Sequence, residues 1–178
     1  NSLAGISLGG YLNYTGGGTL NCYVVNNTLF YNNIDKGYFD EIEGEIRLVE
    51  NCIDNIIQNN IIAARPNSVF IHKYTNTGAS NAIDYNLYFS TGDDQWTWIG
   101  KVIRDQQTWK STLIGDTHAI FGQDPGFIST TQADFGLRDS SPALDKGNFI
   151  NQAINGKLDL SGKARSEANR ITIGAFQK

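Results

Sequence analysis

Short apolar stretches of three to five residues, separated by Asn and Gly, dominate the first half of the chain. Three of them look alike: Asn26-Asn27-Thr28-Leu29-Phe30, Asn59-Asn60-Ile61-Ile62-Ala63 and Tyr85-Asn86-Leu87-Tyr88-Phe89. Aligned on the second Asn of the first two and on Asn86, they recur at intervals of 33 and 26 residues. A second type of stretch precedes each: Gly5-Ile6-Ser7-Leu8, Glu45-Ile46-Arg47-Leu48 and Val69-Phe70-Ile71. β-Branched residues bounded by turn formers read as strands, and recurrence at about 20–50 residues marks a repeat architecture. Residues 1–90 show almost no helical periodicity, which disfavours a helical repeat. A propeller would need four strands per blade and a longer chain. A β-sandwich is the main rival, but the Asn-Gly hairpin signal occurs only at Asn155-Gly156. A parallel solenoid accounts best for the aligned Asn. It predicts Asn27, Asn60 and Asn86 stacked at one corner with their amides hydrogen-bonded in a ladder.

The pattern changes after Phe89. Residues 90–123 contain all three tryptophans, Asp93-Asp94 and a predicted short helix around Val102–Lys110, and they read as an excursion from the solenoid. Strand and turn signals return over 124–178, which read as the last coils and a closing cap. The predicted organisation is a single all-β domain: 1–89 regular coils, 90–123 excursion, 124–178 end.

Composition narrows the picture. The 178 residues suffice for one core without a disulfide framework. Asn is as frequent as Gly, 19 of each, as corners require, since Asn tolerates left-handed backbone and bonds nearby peptide groups. The net charge is −4 and no Lys/Arg run occurs, which argues against nucleic acid or an anionic membrane as partner. No apolar run is long enough to span a bilayer. The chain has no Met and begins at Asn1, which predicts a processed or excised piece whose signal peptide would already be gone. Cys22 and Cys52 form no metal pattern.

Several motifs resemble the endings of right-handed parallel β-helix proteins of the pectate-lyase-like superfamily. They are Asp124-Pro125-Gly126-Phe127, Phe135-Gly136-Leu137, Ser141-Pro142-Ala143 with Asp145 and Gly147, Asp159 to Gly162, and Ile173-Gly174-Ala175. The Asn-Asn-Thr-Leu stretch is typical of them too. The resemblance implies a right-handed parallel β-helix in a secreted, carbohydrate-active bacterial protein. It covers lyases, hydrolases, epimerases and binding modules. The shortness of the chain places it beside the compact β-helix binding modules attached to gut-bacterial xylanases. The expected function is non-catalytic recognition of a plant cell-wall polysaccharide, xylan first, beside a catalytic domain of the same parent protein. The alternative is a fragment of a β-helix glycoside hydrolase or polysaccharide lyase.

The residues themselves offer candidates for both. Trp96 and Trp98 alternate with Thr97, so in a strand they face one way, about 6–7 Å apart. Flat rings with polar neighbours suit sugars, and Asp93, Asp94, Gln95 and Lys101 could exchange hydrogen bonds with hydroxyls. Tyr85 and Tyr88 could extend the patch, although one of the two must face inward. Trp109 is expected to pack the excursion onto the core. Tyr11, Tyr14, Tyr31, Tyr38 and Phe39 form a second possible aromatic strip.

For catalysis, Glu41, Glu43 and Glu45 share a strand face at a spacing that glycoside hydrolysis permits; a like-charged solvated corner gives the same pattern. Arg47, flanked by Glu45 and Glu50, reads as surface pairing. Asp93-Asp94 could contribute to a Ca²⁺ site but equally form a plain turn. His72 and His118 do not make a zinc site, and no other cofactor is expected. The first strand lies close to the start of the chain, so the open end of the stack should need a cover.

Overall fold

The computed structural model describes residues 2–10, 17–35, 43–165 and 170–178. The first pass of the chain forms β1 (Ile6–Leu8), β2 (Thr19–Leu20), β3 (Tyr23–Val25) and β4 (Thr28–Phe30). The second forms β5 (Ile46–Leu48), β6 (Cys52–Ile53), β7 (Ile56–Gln58) and β8 (Ile61–Ala63). The third forms β9 (Ile71–Lys73), β10 (Ala82–Asp84) and β11 (Leu87–Phe89). Then come β12 (Trp96–Trp98), β13 (Lys101–Ile103), α1 (Gln106–Leu113) and β14 (Ile120–Phe121). The chain ends with β15 (Phe127–Ser129), β16 (Asp134–Leu137) and a helical turn α2 (Gln152–Asn155). The protein is all-β, built from several parallel sheets. Their orders are β1-β5-β9-β12-β13, β3-β7-β10 and β4-β8-β11-β14, with a short β2-β6 pair. Every pairing in these sheets is parallel except β12 with β13.

Register decides which side chains go inside. Leu29, Ile62, Tyr88 and Phe121 stand opposite one another and point into the main core with Ile46, Ile57, Phe70 and Ile71. Their neighbours Thr28, Ile61, Leu87 and Ile120 form the next column, on the other face by the strand's period of two. That outer face is buried as well. Ile61, Ala63 and Leu87 pack with Phe127, Leu137, Ala143 and Ile173 in a second core. Burial on both faces explains why these strands read as unbroken apolar runs rather than alternating ones.

The second core corrects the expectation for residues 124–178. They do not add coils to the parallel sheets. β15 pairs antiparallel with β16 alone, and the segment lies over the outward face of the β4-β8-β11-β14 sheet. Phe127 meets Phe30 edge-on at 5.8 Å, Gly174 N–H donates to the Asn59 carbonyl at 2.8 Å, and Ala175 N–H donates to Thr28 Oγ1 at 3.1 Å. The tail thus returns to the first pass. Gly174 has φ +100°, and a Cβ there would sit 2.7 Å from Ile61 Cδ1, so the close approach requires glycine.

The corners are built alike. Asn26, Asn59 and Tyr85 all adopt left-handed backbone, with φ between 55° and 59°, and each precedes a ladder Asn. Asn27 Nδ2 donates to Asn60 Oδ1 at 2.9 Å, and Asn60 Nδ2 donates to Asn86 Oδ1 at 3.0 Å. Asn60 and Asn86 are fully buried, so their amides must be satisfied inside the protein. A second ladder runs through Asn55 and Asn81, with Asn55 Nδ2 donating to Asn81 Oδ1 at 2.8 Å. Cys22 heads that column with only its N–H, which donates to Asn55 Oδ1 at 3.0 Å.

The break in the pattern is narrower than residues 90–123. β12 pairs parallel with β9, and β14 pairs parallel with β11. Between them, β13 folds back as an antiparallel hairpin strand and α1 crosses the side. Asp105 caps α1 by accepting Thr108 N–H, and left-handed Ile114 ends it.

Candidate binding site

Trp96 was expected at the surface, and the structure buries it completely. Because β12 extends β9 in parallel, with Thr97 opposite His72 and Trp98 opposite Lys73, Trp96 and Trp98 share the inward face with Ile71. They do face the same way, toward Trp109: Trp96 stacks on it at 5.2 Å and 16°, and Trp98 meets it edge-on at 5.5 Å. Trp98 is half-buried, with Lys73 Nζ 5.8 Å from its ring centroid. Trp109 and Tyr88 are fully buried, and Tyr88 O–H and Trp109 Nε1–H both donate to Asp116 Oδ2 at 2.7 Å. Burial pushes the Asp116 carboxyl up to about 6, against the lowering effect of those two bonds. Burial and the adjacent carboxylate hold the Tyr88 hydroxyl well above its ordinary value. Trp96, Tyr88 and Trp109 therefore form an internal box that binds α1 to the sheets.

The polar candidates lie around β12. Asp93 and Lys101 are exposed, while Asp94 and Gln95 are half-buried. Burial and the Asp93 charge raise the Asp94 carboxyl. The Gln95 carbonyl accepts Phe70 N–H at 2.9 Å, and Lys101 stands opposite Trp98 in the hairpin. They border the strand whose Trp96 ring points away from solvent, so no combined Trp96–polar surface results. Among the described residues no group of three or more His, Cys, Asp or Glu could hold a metal ion. Cys22 is an exposed and Cys52 a buried free thiol.

The carboxylates divide as follows. Glu41 lies outside the described residues. Glu43 is buried, pairs with Arg47 and takes Asn33 Oδ1 on its N–H. Arg47 also donates from Nε to Ser7 Oγ at 2.7 Å, so its partners are Glu43 and Ser7 rather than Glu45 and Glu50. Glu45 is fully buried; its Oε2 accepts Asn32 Nδ2 at 2.7 Å, and its Oε1 has no partner. Burial pushes its carboxyl up to about 7. Of the second aromatic strip, Tyr11, Tyr14, Tyr38 and Phe39 lie outside the described residues. Tyr31 stacks on Phe30 at 4.1 Å, with the Arg65 guanidinium 5.5 Å from its ring.

An aromatic and acidic arrangement reaches the surface at the Tyr85 corner, where Tyr85 and Asp84 are half-buried and His118 is exposed. The Tyr85 and His118 rings stack at 4.4 Å and 6°. Asp84 Oδ2 lies 2.8 Å from His118 Nδ1, and Asp84 Oδ1 accepts the N–H groups of Tyr85 and His118, each at 2.8 Å. The His118 side chain is 58% exposed. Tyr85 was a sequence candidate; Asp84 and His118 were not placed with it. The corner column could have found His118, because it lies 33 residues beyond Tyr85, the interval that separates Asn26 from Asn59. This unit offers a flat ring surface, a fixed carboxylate and an outward imidazole edge.

Fold and site together define an all-β protein of several parallel sheets, with a part-exposed aromatic corner at Tyr85 and His118. No protein-family model matches the chain, and no solved structure matches it. It is similar to the uncharacterized protein YwoF of Bacillus subtilis (strain 168), 30% identical over 145 residues. The match covers 80% of this chain and 30% of that protein, so the chain spans about a third of the length of the curated relative it matches. No helix among the described residues is long and apolar enough to cross a membrane.

Proposed function

We propose that the chain is a right-handed parallel β-helix acting as a secreted, non-catalytic carbohydrate-binding module for a plant cell-wall polysaccharide, xylan first, within a larger carbohydrate-active protein. The observation that carries the reading is the stack of half-buried Tyr85 on exposed His118 beside Asp84. Sugar rings present apolar C–H faces to aromatic planes and hydroxyls to carboxylates and imidazoles. The in-register parallel strands and the one-sided Asn ladder support the β-helix. Glu43 and Glu45, the described candidates for a hydrolase pair, are engaged by Arg47 or sealed in the interior, which supports binding over hydrolysis.

Affinity electrophoresis and calorimetry across xylan, other hemicelluloses, pectin and cellulose test the reading. Retention by one of them without release of reducing sugar is expected. Tyr85→Ala should weaken binding about thirtyfold, the loss of an aromatic anchor worth about 2 kcal/mol, while leaving the fold intact. A folded Tyr85→Ala protein that binds like the wild type removes this site. Failure to bind any polysaccharide removes the function.

A further inference from the structure

The two ends of the stacked sheets differ. At the downstream end, the five-stranded sheet is closed by antiparallel β13. At the upstream end, β1, β3 and β4 are the outermost strands of their sheets. The Asn ladder has a direction. Asn60 Oδ1 accepts both the N–H (3.0 Å) and the Nδ2 (2.9 Å) of Asn27, one pass upstream. Asn86 Oδ1 accepts the same two groups of Asn60, each at 3.0 Å. Asn27 heads the column, and among the described residues no donor occupies its own Oδ1. The backbone repeats this asymmetry. Ile61, Leu87 and Ile120 each donate an N–H upstream, to the carbonyls of Asn27, Asn60 and Asn86, at 2.9 Å. Thr28 holds the same register position in β4, with no described strand upstream to accept from it.

A cavity of about 620 Å³ lies along this edge. Asn26, Asn27, Thr28 and Leu29 line one side, and the exposed Leu158 and Leu160 of the tail line the other. Asn26 Oδ1 is buried there without a partner among the described residues. The groove therefore presents an amide acceptor, an unpaired strand edge and an apolar wall in the order in which the downstream passes use them.

We propose that this edge is a docking site for one further strand–Asn–strand segment of polypeptide, added in parallel with its Asn above Asn27. The proposal rests on the β-helix reading. A peptide is favoured over a sugar because the open groups continue an existing backbone ladder at the usual strand spacing of about 4.8 Å. The occupant is fixed at the Asn27 column. Its neighbour Cys22 carries no amide, and its thiol turns to the Leu20 carbonyl.

Amide hydrogen exchange on the whole chain, read by NMR, tests this with a synthetic peptide copying residues 55–63 between solubilising lysines. The peptide should slow Thr28 amide exchange at least tenfold and shift the Asn27 side-chain signals. The same peptide with Leu in place of the residue equivalent to Asn60 should do neither. Unchanged Thr28 exchange at millimolar peptide overturns the proposal, as does equal protection by the Leu peptide. Thr28 protected without peptide, in a chain that sediments as a dimer, assigns the edge to a second copy and overturns it too. Failure of the β-helix reading looks different: the Leu87 amide, inside the stack, would then exchange freely.

Discussion

Glu45 gives the stability of this protein an unusual dependence on pH. Its carboxyl is fully buried and accepts from Asn32, and its pKa rises from 4.5 to about 7, chiefly because burial penalises the charged form. The folded state therefore holds this proton more tightly than the unfolded state. The associated stability is complete below pH 4.5 and is lost as pH rises through about 7. A shift of this size corresponds to roughly 3 kcal/mol at most. Glu45→Gln removes the titration while keeping an acceptor for Asn32. Its new amide N–H group enters a position where Oε1 now has no partner, which costs about 1–2 kcal/mol. That cost is the same at every pH, so relative to the wild type the variant should gain up to about 3 kcal/mol between pH 4.5 and pH 8.5. Guanidinium unfolding of both proteins at four pH values measures this difference directly. Asp116 shifts in the same direction but is common to both proteins and cancels. A variant whose stability runs parallel to the wild type across this range would show that Glu45 has the same pKa folded and unfolded, and the burial argument would be wrong.

Asn60→Ala should cost about 3 kcal/mol by chemical denaturation, because the Asn27 N–H and the Val24 carbonyl lose their bonds to the Asn60 amide, and Asn27 Nδ2 and Asn86 Oδ1 each lose one of two. Trp96→Ala and Trp109→Ala should each lose about 3–5 kcal/mol of stability, seen as lower melting temperatures, since both rings belong to the internal box. Equal stability of Trp96→Ala and wild type would contradict its burial. Gly174→Ala should cost about 1–3 kcal/mol and loosen the tail, visible as faster exchange of the residue 174 amide, because its Cβ meets Ile61 and its φ disfavours side chains.

The recurrence of Asn along the chain specifies the parallel strands and their ladder. Asn27, Asn60 and Asn86 were found from a 33- and 26-residue recurrence, because each stacked pass needs the same left-handed corner and the same self-pairing amide at the same place. Strands at Ile6–Leu8 and Ile46–Leu48 were legible for the same reason: the apolar period of a strand is local. Which side of a strand meets water was not local. Trp96 looked exposed beside Asp93 and Asp94, and only the register of β12 on β9 turned its ring inward. The tail looked like further coils because its short apolar runs resemble strands. Its place over the β4-β8-β11-β14 sheet depends on contacts such as Gly174 with Ile61 and Ala175 with Thr28, between residues more than a hundred positions apart. The pairing of Asp84 with His118 is likewise decided by stacking, which brings residues 34 positions apart within hydrogen-bond distance. Recurrence along a chain specifies what repeats, whereas the faces, the covering segment and the exposed corner arise from how the repeats are packed.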